Sequence, residues 1–317
     1  MLKFLKSTIG DTYMQLKKYS LGIIAALLAN VIFGFSFIFS KTALSVSHPL
    51  IILSIRFTLA FIFLNILLLV GNFKLNLKGK PKGKLILMGL SQPLLYFIFE
   101  LYGLSMVSSA LSGVIIALVP VVVIILANLF LKENATTLQT ICTLVSIAGI
   151  GTISVISNDG SDNHFLGIIL LFGAVLCAAV FNILSRSESA SFSPFERTYI
   201  MFLIGLIGFN LFAFCVLKER YFSLIVSSLS TAKFLIPIIY LSLISSVLAF
   251  LLYNFSTTQI SVIQSSSFSN IITAVTVLAG VIILKESFSF VEYILCAVII
   301  LGVWGVNIFT KENSKNK

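Results

Sequence analysis

The chain has 317 residues, of which 58% are hydrophobic and only 10% charged, with a formal net charge of +10. Ordinary soluble domains carry about 25% charged residues, so a composition this poor in polar surface excludes that class and leaves a polytopic membrane protein. The basic residues lie between apolar stretches without interleaved aromatics, which excludes nucleic acid as a partner and marks them as orientation signals and contacts for anionic lipid headgroups.

Residues 1–20 read as a basic, mildly amphipathic arm with no convincing cleavage site, retained in the cytoplasm. Ten apolar windows follow. The first five are Leu21–Ser40, Leu50–Gly71, Leu85–Met106, Ala110–Leu131 and Leu138–Ile156. The second five are Phe165–Ser185, Tyr199–Leu217, Phe234–Phe255, Val262–Leu284 and Val291–Phe309, before a tail at 310–317. Continuous apolar runs of this length predict transmembrane helices, because a barrel strand would alternate with period two. With the N-terminus inside, fifteen Lys and Arg fall on inner segments, while five fall outside: Lys41, Lys218, Arg220, Lys233 and Lys285. That bias predicts both termini in the cytoplasm of a multi-pass cell-membrane protein. The Lys-, Asn-, Ile- and Phe-rich composition points to a bacterial source.

The chain also repeats itself. LKENATTLQTICTLVSIAGIG aligns without a gap on LKESFSFVEYILCAVIILGVW at an offset of 153. FSKTALSVSHP resembles ILSRSESASFSP at an offset of 145, with Lys41 opposite Arg186, so the second half has gained about eight residues, most simply between Lys218 and Lys233. Each half, 21–156 and 165–309, holds an odd number of spans. The expected fold is therefore an all-α membrane protein of ten transmembrane helices, arranged as two inverted five-helix repeats with a central substrate site.

NVIFGFSFIFSKTAL, SHPLIILSIRFTLAF, YGLSMVSSALSGVIIALVPVVVIILANLFLKE and SIAGIG resemble the EamA-type branch of the drug/metabolite transporter superfamily. The resemblance implies a ten-helix carrier of small metabolites, amino acids or drugs, often outward. The second half departs from the family pattern where Thr273 stands opposite Pro120, and the substrate is not fixed by the family.

Within LYFIFELYGL, Glu100 is the residue that hydrocarbon does not suit. It lies about six residues, or roughly 9 Å, below the outer end of the third span, and Arg56 on the second span lies at a similar depth. Charges this deep face a bundle interior. Three readings stand: a structural ion pair; a substrate or proton site that opens and closes through the cycle; or an Arg56 that snorkels outward from a protonated Glu100. Tyr96, one turn before Glu100, shares its face, either contacting acid or substrate or packing as an aromatic. In the ninth span Ser265, Ser266, Ser269, Asn270, Thr273 and Thr276 fall within an arc of about 140°, fit for a cavity lining or for close helix packing. Asn30 lies near mid-bilayer on the first span. The candidate substrate or proton-binding residues are thus Glu100, Arg56, Tyr96, Asn30, Asn270, Ser266 and Thr273.

The expected function is a secondary active transporter that exports a small organic solute by alternating access, with possible proton coupling. The chain contains no HExxH, GxGD, GxSxG or nucleotide-binding loop, so a membrane enzyme acting on lipid or peptide is the lesser reading, as is a lipid-carrier flippase. His48 and His164 are far apart in loops, and Cys142, Cys177, Cys215 and Cys296 lack metal spacing, so no cofactor or metal is expected. The partners expected are the solute and the bilayer, with the protein a monomer or homodimer.

Overall fold

The computed structural model describes residues 2–308 except positions 72, 132–136, 139, 140, 143, 146, 147, 150, 151, 153–161, 261 and 286–288. Among the described residues there is no strand. Helix α1 (Leu2–Leu44) is continuous, so the expected N-terminal arm and the first span are one helix. It is followed by α2 (Pro49–Val70), α3 (Gly83–Met106), α4 (Ser109–Ile116) and α5 (Val119–Leu131). The second half supplies α6 (Asp162–Ser187), α7 (Pro194–Leu217), α8 (Arg220–Leu229) and α9 (Ala232–Gln259). It ends with α10 (Val262–Ser267), α11 (Ser269–Ile282) and α12 (Phe290–Ile308). Seven described helical stretches are long and apolar enough to cross a membrane, namely those within α1, α2, α3, α6, α7 and α9 and Gln264–Ile282 across α10 and α11, with shorter apolar helices at Leu111–Leu126 and Tyr293–Gly302. The expected span Leu138–Ile156 lies largely outside the described residues.

Several boundaries follow from local chemistry. Proline opens α2 and α7, where its missing N–H costs nothing. His48 caps α2 through its ring, and Ser193 caps α7 in a full capping box with Glu196. The expected fourth span, Ala110–Leu131, breaks at Ala117–Leu118, just ahead of Pro120, whose ring cannot follow a preceding helical turn. The ninth span breaks likewise at Phe268, although Thr273 replaces that proline. Helix α3 is interrupted at Gln92 (φ −145°, ψ 119°), beside Pro93. Helix α9 instead widens into a π-helical stretch, Tyr240–Leu248, after Pro237. The connection in which the sequence placed the extra residues of the second half holds α8, although α7 and α9 are also longer than α2 and α3.

Packing occurs in matched pairs. The position of a Cβ on Gly167 of α6 lies 2.8 Å from Met106 Cβ and 3.0 Å from Val107 Cγ1 at the end of α3. The corresponding position on Gly22 of α1 lies 2.6 Å from Gln259 Cβ and 3.2 Å from Ile260 Cγ2 at the end of α9. Gly22 and Gly167 differ by the offset of 145, and their contacts by 153. Lys41 Nζ donates to the Leu104 and Val107 carbonyls at the end of α3, and Arg186 Nη1 donates to the Thr257 carbonyl at the end of α9, both at 2.5–2.8 Å. The same offsets relate these ties. At the centre, Phe57 meets Phe97, Phe202 and Phe209 at 4.8–5.4 Å between ring centroids, and Phe250 continues the cluster through Phe202 and Phe33.

Side chains that need so close an approach are not tolerated. Gly167→Val drives a branched side chain into Met106 and Val107, and should lower stability by about 1–3 kcal/mol. Gly83→Ala meets nothing within 4 Å and should leave it unchanged. Thermal unfolding of the detergent-purified variants checks this; equal melting temperatures for the two would contradict the packing described.

Candidate functional site

Arg56 of α2 is 1% exposed, so it does not snorkel to a membrane face. Its Nε donates to Ser246 Oγ at 2.8 Å and its Nη2 to Ser245 Oγ at 3.2 Å. Both serines belong to the π-helical stretch of α9, where an extra residue in the turn brings neighbouring side chains to the same partner. The guanidinium carbon lies 4.2 Å from the centroid of the Phe97 ring on α3, a cation–π contact strengthened by burial. Arg56 thereby joins helices of both halves.

Glu100 follows Phe97 by one turn and is also 1% exposed, yet its Oε2 is buried without a hydrogen-bond partner. No ion pair joins it to Arg56, although the two act on each other electrostatically. The first sequence reading, a closed structural pair, is therefore not the arrangement in this conformation. Tyr96 is buried edge-on against Phe97 at 5.0 Å. Tyr240, stacked on Phe39 at 4.0 Å, donates to the Ile32 carbonyl and completes the surroundings of Arg56.

The position 153 residues beyond Glu100 is Tyr253. Its hydroxyl donates to Asn182 Oδ1, whose amide in turn donates to the Ala178 carbonyl at 2.8 Å. The second half thus satisfies its polar group at this place, and the first half leaves Glu100 Oε2 unsatisfied. Asn30 repeats the pattern of an incomplete site: its amide donates to the Ala26 carbonyl at 2.7 Å, while its buried Oδ1 has no partner.

The remaining candidates are placed differently. Thr273 Oγ1 donates to the Gly113 carbonyl at 2.8 Å, and Thr276 Oγ1 to the Gly34 carbonyl at 3.0 Å, so both hydroxyls hold α11 against neighbouring backbones. Gly113 and Gly34 make room for this, with Cβ positions 2.7 Å from Thr276 and 2.6 Å from Val275. Ser266 is buried within α10. The side chain of Asn270 lies outside the described residues.

Sequence reasoning missed a highly connected buried cation. Arg197, expected on an inner loop, is fully buried in the first turn of α7. Its Nη1 donates to the Ser185 carbonyl at 2.7 Å, Ser185 Oγ at 2.9 Å and Thr257 Oγ1 at 3.0 Å; Nη2 donates to the Asn254 carbonyl. Beside it, Glu196 accepts from the backbone N–H of Asn76 and Ser193 and pairs with Lys80 at 3.3 Å, so the loop between α2 and α3 is tied to α7. The SPFE capping box was the available signal: it begins the helix five residues before the expected boundary and draws Arg197 inside it.

This helical, membrane-length architecture, with ionisable groups sealed in its interior, has counterparts among known sequences. The sequence pattern of the EamA-like transporter family matches the chain twice, over residues 20–155 and 165–308. The chain belongs to the EamA-like transporter family. Among relatives of this EamA-like protein, the uncharacterized transporter YcxC of Bacillus subtilis (strain 168) is 32% identical over 92% of this chain and 94% of its own length. An uncharacterized transporter of Archaeoglobus fulgidus is 24% identical over 87% of this chain and 95% of its own. A crystal structure of 16% identity has the same fold, with a TM-score of 0.58 over 94% of this chain and 99% of that one. The EamA-like protein is thus a multi-pass membrane transporter, for which a small-molecule substrate and a lipid environment follow.

The two buried arginines of this EamA-like chain differ in what depends on them. Arg197→Met leaves the Ser185 and Asn254 carbonyls without that donor, at about 1–3 kcal/mol each. Arg56→Met frees only serine hydroxyls, which can turn back to their own helix carbonyls. Thermal unfolding should show the larger loss for Arg197→Met, and an equal or reversed order would contradict the separation of roles.

Proposed function

We propose that this protein is a secondary active transporter working by alternating access, built from two inverted five-helix repeats, 21–156 and 165–309, with both termini cytoplasmic. The observation that carries the reading is duplication. The family pattern matches each half, and the Lys41 and Arg186 ties, together with the Gly22 and Gly167 contacts, recur at the same offsets. Five spans per half insert the halves in opposite senses, and exchange of packing between such halves presents a central site to each side in turn. Outward movement of a small organic solute is the direction that the sequence resemblance favours.

The proposed site lies at Arg56, Tyr96 and Glu100, with Asn30 as a further polar contributor. In this conformation Arg56 is held by Ser245 and Ser246 of the opposite half, and Glu100 is left without it. Movement of α9 relative to α2 withdraws those serines and frees the guanidinium to approach the acid. Glu100 then exchanges an unpaired, protonated state for an ion-paired one, which couples its proton to the motion. This arrangement explains why one half carries an acid where the other carries Tyr253.

Purified protein in vesicles tests the reading. Counterflow should show stimulation by solute on the far side, which a channel does not give. Glu100→Gln preserves shape and removes titration, so its transport should fall by roughly tenfold or more, or lose its pH dependence; a tenfold change corresponds to about 1.4 kcal/mol. Unchanged rate and unchanged pH profile would overturn the role given to Glu100.

A further inference from the structure

Helix α8 lies in the connection between α7 and α9, whose counterpart between α2 and α3 holds no helix among the described residues. It follows a sharp turn at Lys218 (φ 46°) and joins α7 to α9, so it sits at the membrane face where both of those helices end. This is also the face of the α1–α2 connection, since Ser228 of α8 bonds Ser47 at 2.8 Å.

At about 100° per residue, the ten residues of α8 divide into three sectors. Tyr221, Leu224, Ile225 and Ser228 fall together on one side and are buried or half-buried. The polar atoms of that side are bolted to the bundle: Tyr221 Oη donates to Asn210 Oδ1 at 2.7 Å and lies 2.9 Å from Ser54 Oγ, which also donates to Asn210. Phe222, Val226 and Leu229 form a second sector and are 65%, 64% and 40% exposed. Arg220, Ser223 and Ser227 form a third, which is exposed and polar. A helix that is free on two sides, one apolar and one polar, matches the gradient at a membrane surface, with acyl chains below and water above.

We propose that α8 is an interfacial helix that seats Phe222, Val226 and Leu229 among the outermost acyl segments and binds anionic phospholipid headgroups through Lys218, Arg220 and Lys233. All three cations are exposed, against one acid in the connection, Glu219. The bilayer is the occupant because α7 and α9, to which α8 is joined, are themselves membrane-length helices. Through Ser47, Ser54 and Asn210 the seated helix clasps α2 to α7, so lipid held there stiffens the seam between the two halves on this face alone. Seating requires only that its neighbours cross the membrane, whatever the chain transports.

The single tryptophan, Trp304, is exposed on α12 and is first replaced by phenylalanine. In that background, Phe222→Trp and Ser223→Trp report from adjacent sectors of α8, both at exposed positions. In phosphatidylcholine vesicles with brominated acyl chains, Phe222→Trp fluorescence should be quenched at least about twofold more than that of Ser223→Trp, most by bromines nearest the headgroups. Equal quenching, or none, overturns the seating. Replacing part of the lipid by an equal fraction of brominated phosphatidylglycerol should quench Phe222→Trp more than the same fraction of brominated phosphatidylcholine, by about 1.5-fold or more. That excess should vanish when Lys218, Arg220 and Lys233 are all changed to glutamine. No excess, or an excess that survives these changes, overturns the anionic-lipid assignment.

Discussion

The last carbonyls of a helix have no donors within the helix, and at a crowded membrane face water does not supply all of them. Here a cation from the adjoining helix does so. Lys41 closes the end of α3 and Arg186 the end of α9, each also favoured by the negative end of the helix dipole. Because these ties fix the first helix of each half to its third, the glycine-mediated crossings to the opposite half fall in register. Gly22 and Gly167 then admit the ends of α9 and α3, and the phenylalanine cluster closes between them.

Buried charge has been distributed unevenly over this scaffold. Arg197 is surrounded by acceptors, Glu196 is met by two backbone donors and Lys80, and Tyr253 is bound to Asn182. These groups fasten connections and helix starts. Arg56 is held by hydroxyls and a ring without a carboxylate, while Glu100 and Asn30 each keep a buried oxygen unpartnered. A group left incomplete inside a bundle costs stability, at about 1–3 kcal/mol for a lost partner. Buried atoms of Ser40, His164, Arg197 and Ser256 are unpartnered as well, but Glu100 is the carboxyl among them, and its cost is intelligible if a partner arrives during the working cycle. The clasp of α8 on α2 and α7 adds a further asymmetry, since no helix occurs between α2 and α3 among the described residues.

Much of the fold was legible because hydrocarbon leaves few options. Uninterrupted apolar length gave the helices, and the helix starts at Pro49 and Pro194 lie beside recognisable caps. The offsets of 145 and 153 anticipated which residues make equivalent contacts, including Lys41 and Arg186. Pro120 accounts for the break before it, but the break at Phe268 has no proline and is accompanied instead by packing of α11 against Gly34 and Gly113. The π-helical stretch of α9 was invisible to a 3.6-residue period, so Ser245 and Ser246 were not expected beside Arg56. Depth alone placed Arg56 and Glu100 near each other and inside the bundle, but depth does not choose between an acid and a pair of serines as the partner. Thr273 and Thr276 share the polar stripe read from the sequence, yet their hydroxyls bond backbone carbonyls, a distinction that periodicity cannot draw.

The proposed mechanism rests on the proposed opposite insertion of the two halves. Ser45 and Ala190 are exposed and related by the offset of 145, one after the first helix of each half. With Cys142, Cys177, Cys215 and Cys296 replaced, single cysteines at these two positions can be labelled with a membrane-impermeant maleimide in intact cells and in inverted vesicles. Ser45→Cys should react only in intact cells and Ala190→Cys only in inverted vesicles. Reaction of both from the same side would contradict the inverted arrangement, and with it the alternating exposure of the site at Arg56 and Glu100.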